Sequence, residues 1–297
     1  MFTWSDWFGF GISFLSLGSL YAVMALGLVI VYGILRLVNF AYGEYIMVAG
    51  YALYLMRGGP LPWIVMAVIA VGVAAGASYL TERVAFRPVR SNSVTAMLIT
   101  SFAVSTLFQN AALLLISPRS RVVPLPDLFS EGIEVAGTII QWRDLLAIVV
   151  SLLLLLILTV LMKKTYLGIA LRAAADKFTM TRLLGVPTNL MIGTAFAISG
   201  TLAGVVALFW LGRIGSVTPT IGLQPLIVAF VASVLGGVES LVGSVVGGYV
   251  LALITVAINT FLPQAVVDYR QAFIFGIVIL VLLFRPQGLV GRRAELR

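Results

Sequence analysis

Long runs of residues without a single Asp, Glu, Lys or Arg recur along the whole chain. Seven of them, Trp7 to Leu35, Gly58 to Thr81, Ser91 to Pro118, Leu145 to Met162, Leu183 to Gly212, Ile214 to Val238 and Ser240 to Val267, contain only uncharged, largely apolar residues. Each reaches the roughly 18 residues that a helix needs to cross hydrocarbon. A charge at mid-bilayer costs about 2.5–3.5 kcal/mol on insertion scales, so these gaps mark what can lie in lipid. Two shorter segments, Leu37 to Met56, interrupted by Glu44, and Gln271 to Phe284, bring the predicted crossings to nine, within a range of eight to ten. Glu44, with Gly43 and Gly50, makes the first of these either a span or a broken, re-entrant helix. The pattern predicts an all-α polytopic membrane helix bundle, a single transmembrane domain over residues 1–297.

The charges between the gaps predict its orientation. With the N-terminus outside and the C-terminus cytoplasmic, Arg36, the loop 82–92, the loop 163–187 and the tail 285–297 lie inside. They hold thirteen of the nineteen basic residues. Arg57, Arg119, Arg121, Arg143, Arg213 and Arg270 remain outside, offset by Asp6, Asp127, Glu131, Glu134, Asp144 and Asp268. Cytoplasmic loops of membrane proteins carry this excess of Lys and Arg. Met1 to Phe10, with Trp4, Trp7 and Phe8 beside Asp6 and no basic residue, reads as an interfacial aromatic anchor rather than the start of a signal peptide.

Composition agrees and narrows the chemistry. Residues are 61% hydrophobic and 10% charged, whereas a soluble domain carries about 25% charge. Absence of cysteine and histidine excludes thiol nucleophiles, disulfides, zinc held by Cys or His, and Ser-His-Asp catalysis. The three lysines, Lys163, Lys164 and Lys177, do not follow a glycine, so there is no phosphate-binding loop. An enzyme is not predicted, no metal or cofactor is implied for this chain, and no nucleic-acid partner. If ATP drives the protein, another chain hydrolyses it.

Only three polar connections are long: 82–92, 118–143 and 163–187. The outer loop 118–143, with Pro118, Pro124 and Pro126, is either a solvated connector or a dock for an extracytoplasmic partner. In the inner loop, Tyr166 to Leu184 is rich in Ala, Leu and Arg until Gly185 and Pro187 stop it, which predicts a cytoplasmic helix. It is either an amphipathic surface helix on anionic lipid or a rigid lever fitting a cytoplasmic protein, with Ala173 to Ala175 allowing close approach.

Within the spans, Gly72/Gly76, Gly200/Gly204 and Gly243/Gly247 form GxxxG pairs that predict close helix packing. Gln109 and Asn110 are predicted to hydrogen-bond between helices. Two further clusters suggest broken helices lining a substrate path: Asn39, Phe40, Tyr42, Gly43 and Glu44, and Gly236, Gly237 and Glu239. Glu44 and Glu239 are either pathway acids or interfacial acids reaching inner water, the reading the topology favours. Asn39 is suited to bonding free backbone groups or a polar substrate.

The strings LVNFAYGEYIMVAGY (Leu37–Tyr51), GIALRAAADKFTMTRLLGVP (Gly168–Pro187), VASVLGGVESLVGSVVGGYVLAL (Val231–Leu253) and FRPQGLVG (Phe284–Gly291) resemble the permease subunits of ABC importers for branched-chain amino acids. The likeness covers almost the whole chain. It implies a bacterial inner-membrane protein that works by alternating access with a second, related permease subunit in a heterodimer. Two cytoplasmic ATPase subunits carrying ATP and Mg, and a periplasmic substrate-binding protein, complete the implied assembly. It also implies that 168–187 is the coupling helix seated on an ATPase, through Arg172, Ala174, Asp176, Leu184 and Gly185. Tyr42, where family members commonly have histidine, and Glu239, where they usually have a small residue, depart from the pattern. Related permeases serve urea, short amides and other small organic solutes, which leaves these as alternatives to leucine, isoleucine or valine. An autonomous secondary transporter is the remaining reading; an intramembrane enzyme would need a nucleophile or acid pair that the spans lack.

Overall fold

The computed structural model describes residues 4–90, 93–123, 125–126, 129, 131–135, 138–176, 187–263, 266 and 269–290. Helices dominate: α1 (Trp4–Leu35), α2 (Tyr42–Leu55), α3 (Trp63–Thr81), a π-helical turn (Glu82–Phe86) running into α4 (Arg87–Val89), α5 (Val94–Leu115), α6 (Trp142–Lys164), α7 (Tyr166–Asp176), α8 (Thr188–Ile214), α9 (Leu223–Gly236), α10 (Leu241–Phe261) and α11 (Arg270–Phe284). Four short strands pair as two antiparallel ribbons, β1 (Arg121–Val122) with β4 (Ser216–Val217) and β2 (Gly132–Val135) with β3 (Thr138–Gln141).

Among the described residues, six helices are long and apolar enough to cross a membrane: Asp6–Leu35, Trp63–Val89, Val94–Leu115, Trp142–Lys164, Thr188–Ile214 and Leu241–Phe261. Leu223–Gly236 and Arg270–Phe284 are shorter apolar helices. The protein is thus a multi-pass membrane bundle. Three of the nine predicted spans are corrected, one of them Gln271 to Phe284, which forms as the 15-residue α11 and rises only about 22 Å. Leu37 to Met56 condenses into α2, whose 14 residues rise only about 21 Å, against a hydrocarbon core of about 30 Å. Ile214 to Val238 is not one helix. Gly215 takes φ +76 and caps α8, β4 follows, and α9 begins only at Leu223.

Local chemistry explains where helices begin and break. Ser93 caps α5, its Oγ accepting from the Ala96 amide at 3.1 Å, and Ser240 caps α10 by accepting from the Gly243 amide at 3.0 Å. Pro88 has no N–H to donate to the preceding turn, and the chain passes it by widening into the π-helical turn rather than stopping.

The chain divides into two compact units. One comprises Gly27–Pro126 and Leu155–Ile227, the other Met1–Leu26, Asp127–Leu154 and Val228–Arg297. The first is built on α2, α3 and α8. A Cβ at Gly200 would fall on Ser78 and Ala74, and one at Gly204 on Val71, so this glycine pair lets α8 lie directly on α3. Ser78 Oγ donates to the Phe196 carbonyl across that contact at 2.7 Å. Val31, Leu37, Phe86, Met97, Ile192 and Phe196 form a buried apolar cluster. In the other unit, Gly247 packs on Ala232 and Gly236, and Gly248 on the Ala22 backbone. Gly72 and Gly76 do not pack as predicted among the described residues of this chain: none lies within 4 Å of a Cβ at either.

Candidate substrate path and coupling segment

The first small-residue cluster starts where α1 ends. Arg36 adopts φ +54, turning the chain out of the helix. Asn39, 1% exposed, organises the re-entry. Its Oδ1 accepts from the Ala41 amide at 3.0 Å, its carbonyl accepts from the Tyr42 amide at 3.1 Å, and its Nδ2 donates to the Tyr45 hydroxyl at 3.4 Å. Asn39 therefore serves backbone at the start of α2, the first of its two predicted uses. Phe40 stacks on Phe102 of α5 with centroids 4.1 Å apart. Tyr42 is fully buried against Gly27, and its hydroxyl has no hydrogen-bond partner among the described residues.

Glu44 is not the water-facing acid that the topology favoured. It is 0% exposed, because helix α5 brings two donors to it from one face, at positions i and i+4. Ser105 Oγ donates to Glu44 Oε1 at 2.8 Å and Gln109 Nε2 donates to the same oxygen at 2.7 Å. Gln109 also donates to Ser105 Oγ at 3.4 Å. The other carboxylate oxygen, Oε2, has no hydrogen-bond partner among the described residues. Gln109 thus bonds between helices as predicted. Asn110 does not: its Nδ2 donates to the Thr106 carbonyl of its own helix, on the exposed side.

The second cluster breaks the chain between α9 and α10. Gly237 takes φ +106 and Gly236 lies on the Gly243 backbone; Glu239 is exposed. The end of α9 is closed by the segment after α11. Leu289 and Val290 donate their amides to the carbonyls of Leu235 and Gly236 at 2.9 and 3.2 Å, and Gly288, at φ +79, fits against Gly237. The first cluster and the second belong to different compact units.

Residues 11–282 match the family described as the branched-chain amino acid transport system permease component. The chain belongs to this permease family. It is 36% identical, over 94% of both chains, to the high-affinity branched-chain amino acid transport system permease protein BraD of Pseudomonas aeruginosa. It is 34% identical to the corresponding protein LivH of Escherichia coli K12, over 93% of both chains. A probable permease of the same kind from Methanocaldococcus jannaschii is 28% identical over 92% of this chain and 89% of its own. No solved structure matches.

In this permease the predicted inner helix is present as α7 over Tyr166–Asp176; residues 177–186, the rest of that prediction, lie outside the described residues. Gly168 lies directly on the Leu161 and Met162 backbone, which folds α7 sharply against the end of α6. Ala170 and Leu171 are buried, while Tyr166, Leu167 and Ile169 are exposed. Arg172 is exposed. Ala174 and Asp176 belong to the last turns of α7; Leu184 and Gly185 lie outside the described residues.

One constellation escaped the sequence reading. Glu82, 2% exposed, pairs through Oε1 with Arg90 Nη1 at 3.4 Å, and Arg90 Nη2 donates to Asn189 Oδ1 in the first turn of α8. The π-helical turn and Pro88 shift the register between Glu82 and Arg90, so ordinary helical spacing gave no sign that they meet.

Proposed function

We propose that the chain is the membrane-spanning subunit of an ATP-driven importer that carries leucine, isoleucine or valine across a bacterial-type inner membrane by alternating access. The observation that carries the reading is end-to-end similarity: one family match spanning residues 11–282 and relatives at 34–36% identity along nearly their whole length. Their names specify branched-chain amino acid transport. The sequence supports an external energy source, because no lysine follows a glycine in a phosphate loop. ATP and Mg therefore belong to partner ATPase subunits, with a second permease subunit and an extracytoplasmic binding protein completing the assembly.

In this mechanism α7 and the residues after it, including Arg172, Ala174, Asp176, Leu184 and Gly185, carry ATPase movement into the bundle. Two helices too short to cross, α2 and α9, begin or end at the small-residue clusters, the arrangement by which transporters line a solute path with irregular backbone. ATP shifts the access equilibrium only as far as the coupling segment binds one state better than the other.

The test is uptake into membrane vesicles containing the chain, alone or with its ATPases, second permease and binding protein. ATP-dependent uptake of labelled leucine that needs every component is expected. Uptake by the chain alone under an ion gradient, or selective uptake of urea or short amides by the full assembly, would overturn the reading.

A further inference from the structure

Among the described residues, two carboxylates are buried in the unit built on α2, α3 and α8, Glu44 and Glu82, and they are treated differently. Glu82 has a cation, Arg90, at 3.4 Å. Glu44 has none among the described residues: its neighbours are the uncharged Ser105 and Gln109, both on Oε1. Oε2 is left without a partner although the residue is 0% exposed.

A buried polar atom without a hydrogen bond is costly, and a buried unpaired charge more so. Putting a proton on Oε2 only exchanges an unmet acceptor for an unmet donor. The directions of the existing bonds are mutually consistent: Gln109 donates to both Ser105 and Glu44, and Ser105 donates to Glu44. The network therefore presents donors only, the complement of an ionised carboxylate. What it lacks is a cationic donor for Oε2.

We propose that Glu44 Oε2 is the counter-charge for the α-ammonium group of the transported amino acid. A primary ammonium is compact and offers three N–H donors, so it can meet Oε2 with a short charge-assisted bond. The surroundings suit the rest of such a solute. Phe102, stacked on Phe40, lies one turn from Ser105 on α5, and Phe108 meets the Tyr45 ring edge-on at 6.3 Å. Gln109, which bonds the other carboxylate oxygen, is partly exposed, so this polar network reaches from Glu44 toward the outside of the unit. The site selects zwitterionic amino acids over urea and short amides, which carry no positive charge. It rests on the function proposed above and adds the group that reads the substrate's charge.

The test uses the assembled transporter in lipid nanodiscs, wild type and Glu44→Gln, with thermal unfolding followed in leucine, 3-methylbutylamine, 4-methylpentanoate or sodium chloride. Leucine and 3-methylbutylamine are expected to raise the wild-type midpoint, and 4-methylpentanoate and sodium chloride to leave it unchanged. In Glu44→Gln the rise disappears, the unliganded midpoint stays at or above wild type, and ATP-driven leucine uptake falls about tenfold or more, as loss of a charged hydrogen bond requires. The inference is overturned if sodium protects as well as the amine, if Glu44→Gln keeps amine protection, or if it transports within about twofold of wild type. A wild-type assembly that shows amine protection but no leucine uptake would instead reject the proposed function.

Discussion

Gly43 in α2 and Gly222 in the turn before α9 meet backbone to backbone, so that a Cβ on either would fall on the carbonyl oxygen of the other. Neither neighbour is a flexible side chain that can swing away. Gly43→Ala and Gly222→Ala are each expected to destabilise the purified protein by about 1–3 kcal/mol, the usual cost of overpacking a filled interior. Gly76→Ala and Gly276→Ala meet nothing within 4 Å and serve as controls. They should hold or gain up to about 1 kcal/mol through helix propensity. Thermal unfolding of the four variants separates the two groups.

The Glu82–Arg90 pair is a case where breaking should hurt more than replacing. With side chains 3% and 17% exposed, Arg90→Ala strands a buried carboxylate and is expected to cost about 1–3 kcal/mol. Glu82→Gln combined with Arg90→Ala should recover part of that loss. A double-mutant cycle that gives no coupling would mean the pair contributes only packing.

Closure of α9 by the segment after α11 predicts sensitivity at two residues that look like ordinary tail. Leu289→Pro removes the amide given to the Leu235 carbonyl and should cost about 1 kcal/mol or more. Gly288→Val adds a branched side chain at φ +79 and against Gly237, at a cost of about 1–3 kcal/mol. Chemical unfolding of each variant, with Gln287→Ala as reference, gives the comparison.

Coupling through the α7 region predicts variants that insert normally yet fail to move solute. Arg172→Glu, Asp176→Trp and Gly185→Trp should abolish ATP-driven uptake while the amount of permease in the membrane stays unchanged. Normal uptake in all three would place the ATPase contact elsewhere.

Because the chain contains no cysteine, orientation is directly measurable with single introduced thiols. Gly59→Cys and Glu131→Cys should react with a membrane-impermeant maleimide from outside whole cells. Lys164→Cys and Gln287→Cys should react only in inside-out vesicles.

How much of this was legible in the sequence follows from what charge patterning can report. Uncharged runs marked the long helices α1, α3, α5, α6, α8 and α10 because hydrocarbon tolerates little else. The same criterion could not tell a spanning helix from a buried short one: α2 is apolar because protein surrounds it, with Tyr42, Tyr45 and Met47 fully buried. It also read through Gly215 and the turns before Leu223, where backbone conformation and not polarity breaks the chain. Gln109 was recognisable as a cross-helix donor, but its acceptor, Glu44, lies 65 positions away. Only tertiary packing turned that acid inward. Of the residues proposed for coupling, Arg172, Ala174 and Asp176 do fall on a helix, as the Ala- and Leu-rich composition suggested.

Every helix ends with four backbone carbonyls that its own turns cannot satisfy. In α9 all four have been provided for: Ser233 and Val234 accept from the Gly237 amide, Leu235 from Leu289, and Gly236 from Val290. Ion-coupled carriers use such exposed half-helix ends as sockets for sodium. Here those carbonyls are met by the protein's own main chain, which keeps the broken helix structurally sound. The tail after α11 and the end of α9 are thereby tied together, so neither shifts without breaking main-chain hydrogen bonds to the other.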